Sequence, residues 1–405
     1  MKIVNGNFLN NVKGYTAAGV CAGFKKSGKK DLALIFSECS AVSAATFTTN
    51  KAKAACVLIN MENIKNETTR AIITNSGQAN ACTGYQGYED AVNITKLVSN
   101  ELNIQPQEVL QASTGVIGIP IPMDKMEIGI KNICSSLSIE GGEDASNSIL
   151  TTDTVKKVVS VNVEIDGKKV GISGMAKGSG MINPNMATML SYIITDANIS
   201  KDMLNSILKE SIENSYNMIS VDGDTSTNDM VLSMANGMAE NNLIEKKDEK
   251  YFILKEAIDY VNTELSKKIA RDGEGATKLF ETIVVGANTI LDAKKCAKAV
   301  VSSNLVKCAI FGSDANWGRV ICALGYSGAD FDPYKVDLYF KSAKGEVQVA
   351  REGMLIDYSE TLAKEILDEE YITIFVDLNS GESEATSWGC DLTYKYVEIN
   401  GEYRT

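Results

Sequence analysis

Short apolar runs separated by small polar turns open the chain. Leu32-Ala33-Leu34-Ile35-Phe36, Val57-Leu58-Ile59 and Ala71-Ile72-Ile73-Thr74 each have the length and bounding residues of a strand. Tyr88 to Leu102 instead repeats apolar residues at helical spacing, with Ala91, Val92, Ile94, Leu97 and Val98 on one face. Val109-Leu110-Gln111-Ala112 predicts a strand that ends in Ser113-Thr114-Gly115, and Met123–Leu137 predicts a helix. Val161-Asn162-Val163-Glu164-Ile165 alternates, Asp166-Gly167 tolerates positive φ, and Lys168 to Ile172 returns. That is the pattern of a two-residue hairpin with a type I′ turn.

The hairpin delivers the chain into GMAKGSGMINPNMATML, Gly174 to Leu190. Glycines, a proline and polar residues give way there to the apolar run Met189–Ile194, so Thr188 stands at the junction of a loop and a buried strand. Ser200 then caps a helix that carries Leu204, Ile207, Leu208 and Ile212. A long helix over Glu249–Ala270 stops at Asp272-Gly273. From Glu281 the pattern is compact α/β. Strands are predicted at Ile283–Val285, Val306–Phe311, Val336–Phe340, Tyr371–Leu378 and Leu392–Ile399, and helices at Thr289–Ser302 and Ser359–Glu369. The pattern suggests a domain junction near Gly286, hence units 1–285 and 286–405.

Two composition facts narrow the chemistry. The chain has no histidine in 405 residues, which excludes a Ser-His-Asp triad, a Cys-His pair and histidine metal ligands. An N-terminal threonine would supply its own base, because its α-amine, with a pKa of roughly 7.7–8.0, can take the Oγ proton. Cutting the chain before Thr188 would make one. The net charge of −12 with scattered basic residues argues against a nucleic-acid partner. The start, MKIVNGNFLNN, has no apolar signal-peptide core, and no run of 18 apolar residues occurs. Nine cysteines without a CxxC pair are expected to be buried thiols in a reducing cytoplasm.

Other motifs stay open on spacing alone. The Gly174–Leu190 loop reads first as a surface turn, with a nucleophile loop as the alternative, and Ser113-Thr114-Gly115 first as a strand-ending turn, with an oxyanion site as the alternative. Val221-Asp222-Gly223-Asp224-Thr225-Ser226-Thr227-Asn228-Asp229 lacks the glycine and glutamate of a calcium loop, since counting from Asp222 the sixth and twelfth positions are Thr227 and Ser233. It is read as a hydrogen-bonded turn and helix cap.

The motifs NSGQANACTG, STGVIG, TTDT, KGSGMINPNMATML, VDGDTSTND, DGEGATK and the NGEYRT tail, in that order, resemble those of the ornithine acetyltransferase (ArgJ) family across essentially the whole chain. That family usually has proline where this chain has Ala315, a difference in loop stiffness. The resemblance implies a four-layer αββα sandwich of the N-terminal-nucleophile-like type, with a smaller C-terminal α/β domain. It implies self-cleavage between Ala187 and Thr188 into an α chain, 1–187, and a β chain, 188–405. Thr188 is then the nucleophile, Thr114 and Gly115 the oxyanion donors, and Thr151, Lys177, Glu274, Asn400 and Thr405 the substrate-binding residues together with Thr188. The implied activity is that of a glutamate N-acetyltransferase of arginine biosynthesis. It works by ping-pong transfer of acetyl from N2-acetyl-L-ornithine to L-glutamate through acetyl-threonine. No metal or cofactor is implied. Some members use acetyl-CoA to acetylate glutamate and others do not, so acetyl-CoA is carried as a candidate co-substrate. A cytoplasmic heterotetramer of two α and two β chains is expected. The rival readings are a self-processing aminopeptidase or amidase with the same nucleophile and a non-enzymatic binding protein of that fold. Ser113 and Ser179 are the alternative nucleophiles.

Overall fold

The computed structural model describes residues 1–183 and 189–402. In chain order the strands begin with β1 (Lys2–Val4), β2 (Tyr15–Val20), β3 (Leu32–Phe47), β4 (Thr69–Gln78), β5 (Val109–Val116), β6 (Lys157–Ile165), β7 (Lys168–Lys177) and β8 (Leu190–Thr195). They continue with β9 (Ile219–Ser220), β10 (Met230–Ala235), β11 (Leu279–Ala287), β12 (Asp337–Ser342), β13 (Gly345–Arg351), β14 (Met354–Leu355), β15 (Tyr371–Asp377) and β16 (Ser383–Cys390). The helices are α1 (Ala55–Asn63), α2 (Gly84–Leu102), α3 (Met123–Ser135), α4 (Gly142–Ser148), α5 (Lys201–Glu213), α6 (Glu249–Arg271), α7 (Ile290–Ser302), α8 (Asn304–Phe311), α9 (Trp317–Gly325), α10 (Glu360–Leu367) and α11 (Tyr394–Gly401).

The chain forms two compact units. One comprises Met1–Gly178, Asn185–Glu213 and Thr225–Leu265, the other Ser179–Pro184, Asn214–Asp224 and Ser266–Thr405. Gly286, where the sequence pattern suggested a junction, lies where the β11–β16 register shifts, between Val284 and Ala287.

The first unit is organised by β3, whose 16 residues belong to two sheets in turn. Its first part pairs antiparallel with β2 and β4, and the β4 register shifts between Phe36 and Ala41. From Val42 to Phe47 it pairs with β10 instead. The strand path runs β1-β6-β7-β8-β10-β3-β4-β5, with β2 also on β3. Side chains alternate across each strand. Ala33, Ile35, Ile72 and Leu110 therefore share one buried cluster with Met175, Tyr192, Ile194 and Leu232. The opposite set, Leu32, Leu34, Ala71 and Ile73, packs with Ile94 and Val98 of α2 and Met126 and Ile130 of α3. On the far side Gly174 of β7 faces α6, and a Cβ there would lie 2.6 Å from Val261 Cγ1 and 2.7 Å from Leu265 Cδ1. The layers of this unit are thus helix, sheet, sheet, helix. A buried polar bond crosses between its two sheets where Thr74 Oγ1 and Tyr192 Oη are 2.7 Å apart, and burial pushes the Tyr192 phenol well above its ordinary pKa.

The second unit holds a seven-stranded sheet in the order β14-β13-β12-β15-β11-β16-β9, with α7 packed on β11 and β16. Two buried lysines and a half-buried one cap backbone carbonyls in it. Lys278 donates to Ile310 O and Leu367 O at 2.9 and 2.7 Å, and Lys307 to Ser220 O and Cys390 O at 3.1 and 2.8 Å. Lys298 donates to Asn217 O and Ile219 O, and burial, followed by the Lys307 charge, pulls its pKa down to about 7.

Several expectations need correction. Val57–Ile59 lies in α1, Val306–Phe311 in α8 and most of Leu392–Ile399 in α11. Short apolar runs do not separate helix from strand, and the caps decide two of these cases: Ser303 Oγ accepts from Val306 N and Thr393 Oγ1 from Lys395 N. The Val221–Asp229 motif is a hydrogen-bonded turn as expected, but it leads into β10 and caps no helix. All nine cysteines are free, yet Cys21, Cys82, Cys308 and Cys322 are exposed. The type I′ hairpin is present, with φ of +53° at Asp166 and +71° at Gly167.

The bond between Thr74 and Tyr192 yields a prediction. Tyr192→Phe strands a buried hydroxyl at Thr74 and should cost about 1–3 kcal/mol, most of it recovered in the double variant Thr74→Val/Tyr192→Phe. Thermal unfolding of the four proteins checks this, and additive losses would contradict it.

Candidate active site

Lys177 closes β7, directly before the glycine-rich segment. Its side chain is 10% exposed, and its Nζ lies 3.9 Å from Asp153 Oδ2. The same ammonium donates to Thr114 Oγ1 at 3.4 Å, the long end of a hydrogen bond. Asp153, from the TTDT motif, is fully buried. Its Oδ1 accepts from Lys157 Nζ and Gly178 N, both at 2.7 Å, and its Oδ2 from Thr151 N at 3.1 Å. Burial opposes the charge on Asp153, but the ammoniums of Lys177 and Lys157 outweigh it and hold the carboxyl well below the usual carboxylate range. One buried carboxylate thereby ties the Thr151 loop to the end of β7.

Thr114 and Gly115 sit at the end of β5, level with Ser76 and Gly77 of β4. Gly115 has φ +128°, and a Cβ on it would lie 2.3 Å from Gly77 C and O, so only glycine fits. Because Thr114 Oγ1 accepts from Lys177, its hydroxyl proton is left for a second acceptor. Asn228 braces the strand behind, donating to Ala79 O at 2.6 Å and Ser113 O at 2.8 Å.

Ser113 and Ser179 are poor nucleophiles here. Ser113 Oγ is buried and donates to Asn75 Oδ1 at 2.7 Å, and Ser179 Oγ is buried and donates to Asp272 O at 2.7 Å. Cys56 is fully buried, and burial pushes its thiol up to about 11.

In the second unit Glu274 is buried, at 7% exposure, contrary to the default for a glutamate in a turn. Its Oε2 accepts from Asn400 Nδ2 at 2.7 Å, and its backbone N–H donates to Ser179 O at 3.0 Å. A Cβ on Gly180 would lie 2.4 Å from that same Oε2, so glycine is required where the segment passes the carboxylate.

Of the residues singled out in the sequence, the structure pairs Lys177 with Thr114, brings Thr151 to both through Asp153, and pairs Glu274 with Asn400. Ala187, Thr188 and Thr405 lie outside the described residues. Asp153 and Lys157 were missed as site residues. An acid among threonines carries no periodic signal, and only the fold shows that it is buried between two ammoniums.

These features describe a mixed α/β protein whose polar clusters are built without histidine. The ArgJ family model matches residues 16–405. The arginine biosynthesis bifunctional protein ArgJ of Caldanaerobacter subterraneus subsp. tengcongensis is 55% identical over 405 residues, covering 100% of both chains. The ArgJ 1 protein of Clostridium acetobutylicum is 53% identical, covering 100% of this chain and 99% of its own. A crystal structure of arginine biosynthesis bifunctional protein ArgJ from Bacillus halodurans is 43% identical with a TM-score of 0.50, covering 53% of this chain and 99% of the solved one. The chain belongs to the ArgJ family, which places it among the enzymes of arginine biosynthesis. Among the described residues no helix is long and apolar enough to cross a membrane.

The buried carboxylate predicts an acid dependence. Its folded pKa lies below the unfolded value of about 3.9, so its contribution to stability is present above that pH and is lost as pH falls below it. Lys177→Met removes one of the two cations and should raise the pH of acid unfolding. Titration followed by circular dichroism checks this, and an unchanged acid midpoint would contradict it.

Proposed function

We propose that this chain is a self-cleaving ornithine acetyltransferase, with Thr188 as nucleophile both in its own processing and in acetyl transfer. In the precursor, Thr188 Oγ adds to the Ala187 carbonyl carbon. The C–N bond breaks, the Thr188 nitrogen takes a proton, and an ester remains. Water hydrolyses that ester, leaving a carboxylate on Ala187 and a free threonine amine.

In the mature enzyme that amine takes the Oγ proton while Oγ attacks the acetyl carbonyl of N2-acetylornithine. Ornithine departs with its amine protonated, and the glutamate amine then attacks the acetyl-threonine ester and restores the hydroxyl. Thr114 and Gly115 stabilise the oxyanion, where donors aimed at developing charge act most strongly. Lys177 takes a substrate carboxylate, a charge-assisted contact, and Glu274, set by Asn400, takes the ornithine ammonium. Thr151 and Thr405 complete the recognition of the charged substrate ends. We place the enzyme in the cytoplasm, as a heterotetramer of two α and two β chains. Neither metal nor cofactor enters the cycle, and acetyl-CoA is the second donor to try.

The observation that carries this reading is the Lys177–Thr114 bond over buried Asp153, at the end of the strand that leads into the cleavage motif. The family relatives support it, since they are named as enzymes of arginine biosynthesis. So does the Bacillus halodurans chain, which matches almost throughout yet spans 53% of this one, about the extent of residues 188–405. The aminopeptidase and binding-protein rivals have no comparable support.

Two measurements check the proposal. The purified protein should run as two fragments, the larger beginning Thr-Met-Leu-Ser. It should exchange acetyl between ornithine and glutamate faster than it hydrolyses N2-acetylornithine. An intact chain in active enzyme, or hydrolysis without exchange, would contradict it. Thr114→Ala should lower kcat by about 10²–10³ in a folded protein, as loss of one oxyanion donor does elsewhere. An unchanged kcat would remove Thr114 from the site.

A further inference from the structure

The segment leading to the cleavage motif is gripped by a carboxylate that the proposed chemistry leaves unused. Asp222 lies in the turn that follows β9. Its Oδ2 accepts from Met181 N at 2.6 Å and its Oδ1 from Ile182 N at 2.9 Å. The turn answers with its own backbone: Val221 N donates to Ile182 O at 2.7 Å, and Asn183 Nδ2 donates to Gly223 O at 3.2 Å. Three consecutive residues, 181 to 183, thus make four bonds to Val221–Gly223.

Ile182 is buried at 2% exposure, but packing does not explain the grip on Met181. Met181 is 42% exposed, and its φ of +57° is in the left-handed region, which costs a residue with a side chain about 1–2 kcal/mol. Hydrogen bonds must therefore hold it there, and those to an ionised carboxylate are the strong kind. The turn is itself anchored from beneath. Lys298 caps the carbonyls of Asn217 and Ile219, and Lys307 caps those of Ser220 and Cys390. Asp224 N and Tyr396 Oη add a third and a fourth donor to Asp222, 3.2 Å from Oδ1 and Oδ2 respectively.

Resting on the self-cleavage proposed above, we infer that Asp222 is a positioning residue for that cleavage. Its carboxylate fixes the backbone at Met181 and Ile182. On the other side of the motif, Met189 O accepts from Met230 N at 2.9 Å and β8 is paired on both edges. Ala187 and Thr188 follow Asn183 by four and five residues in the sequence, so fixing the backbone at residues 181–183 reduces the entropy lost in reaching the geometry of attack. After the cut the same four bonds retain residues 181–183 of the α chain on the β chain.

The test follows precursor disappearance on denaturing gels, with thermal melting in parallel. Asp222→Asn keeps the size but replaces one acceptor with an amide NH2, and should slow cleavage by about tenfold to a hundredfold with a nearly unchanged melting temperature. Asp222→Glu restores both acceptors and should cleave faster than Asp222→Asn. Tyr396→Phe leaves the Met181 and Ile182 bonds in place and should cleave at the wild-type rate.

A second measurement does not depend on these variants folding. In the uncleaved Thr188→Ala chain, which keeps Asp222, the amides of Met181 and Ile182 should exchange hydrogen slowly. Wild-type cleavage rates in Asp222→Asn, or free exchange at both amides in Thr188→Ala, would overturn the inference and leave the reading of Thr188 intact. A wild-type chain that never cleaves would overturn both.

Discussion

A carboxylate buried between two ammoniums is the constraint on which the polar cluster of the first unit depends. Asp153 is charged inside the protein only because Lys157 and Lys177 stand beside it, and they are held in place because it is charged. Its remaining acceptor capacity goes to the amides of Thr151 and Gly178. Removing one partner of such a buried set leaves uncompensated charge, which costs far more than the net worth of the pair. The arrangement therefore fixes the loop of Thr151, the end of β7 and the Lys177 ammonium together. Lys177 in turn fixes the direction in which Thr114 can donate.

The same economy of means appears in the second unit. Glu274, Asp222 and three lysines are buried or half-buried charges whose partners include backbone groups, the Asn400 amide and the hydroxyls of Tyr396 and Ser313. Backbone groups are available in quantity wherever a segment passes without regular secondary structure, as Ser179 to Asn183 does. The glycines of that segment have a steric basis as well, since Gly180 admits the Glu274 carboxylate where any side chain would collide. Without histidine, this protein places its polar groups by fixing the backbone around them.

Much of this was legible in the sequence. The alternation of β6 and β7 around Asp166-Gly167, the periodic faces of α2, α5 and α6, and the buried strand β8 follow from local pattern, and the structure keeps them. The family motifs pointed to Lys177, Thr114, Glu274 and Asn400, and the fold pairs them two by two. What the pattern could not carry is of two kinds. Apolar runs of three to eight residues, such as Val57–Ile59 and Val306–Phe311, fit either period, and a cap or a tertiary neighbour chose helix. Asp153 and Asp222 are short acidic residues in polar turns, where a solvated side chain is the default. Their importance arises only when distant chain segments bring amides and ammoniums to them. The strand β16, SEATSWGC, was invisible because it carries no apolar run: its first half is mostly polar and at most half-buried, and neighbours bury its second half.

The central claim is that one threonine oxygen carries the acetyl group. It is tested most directly by mass spectrometry of the mature β chain incubated with N2-acetylornithine alone. The account predicts one added acetyl group on the peptide that begins at Thr188, discharged when glutamate is supplied. An unmodified peptide under conditions where acetyl exchange proceeds, or an acetyl group on a different residue that glutamate discharges, would contradict it.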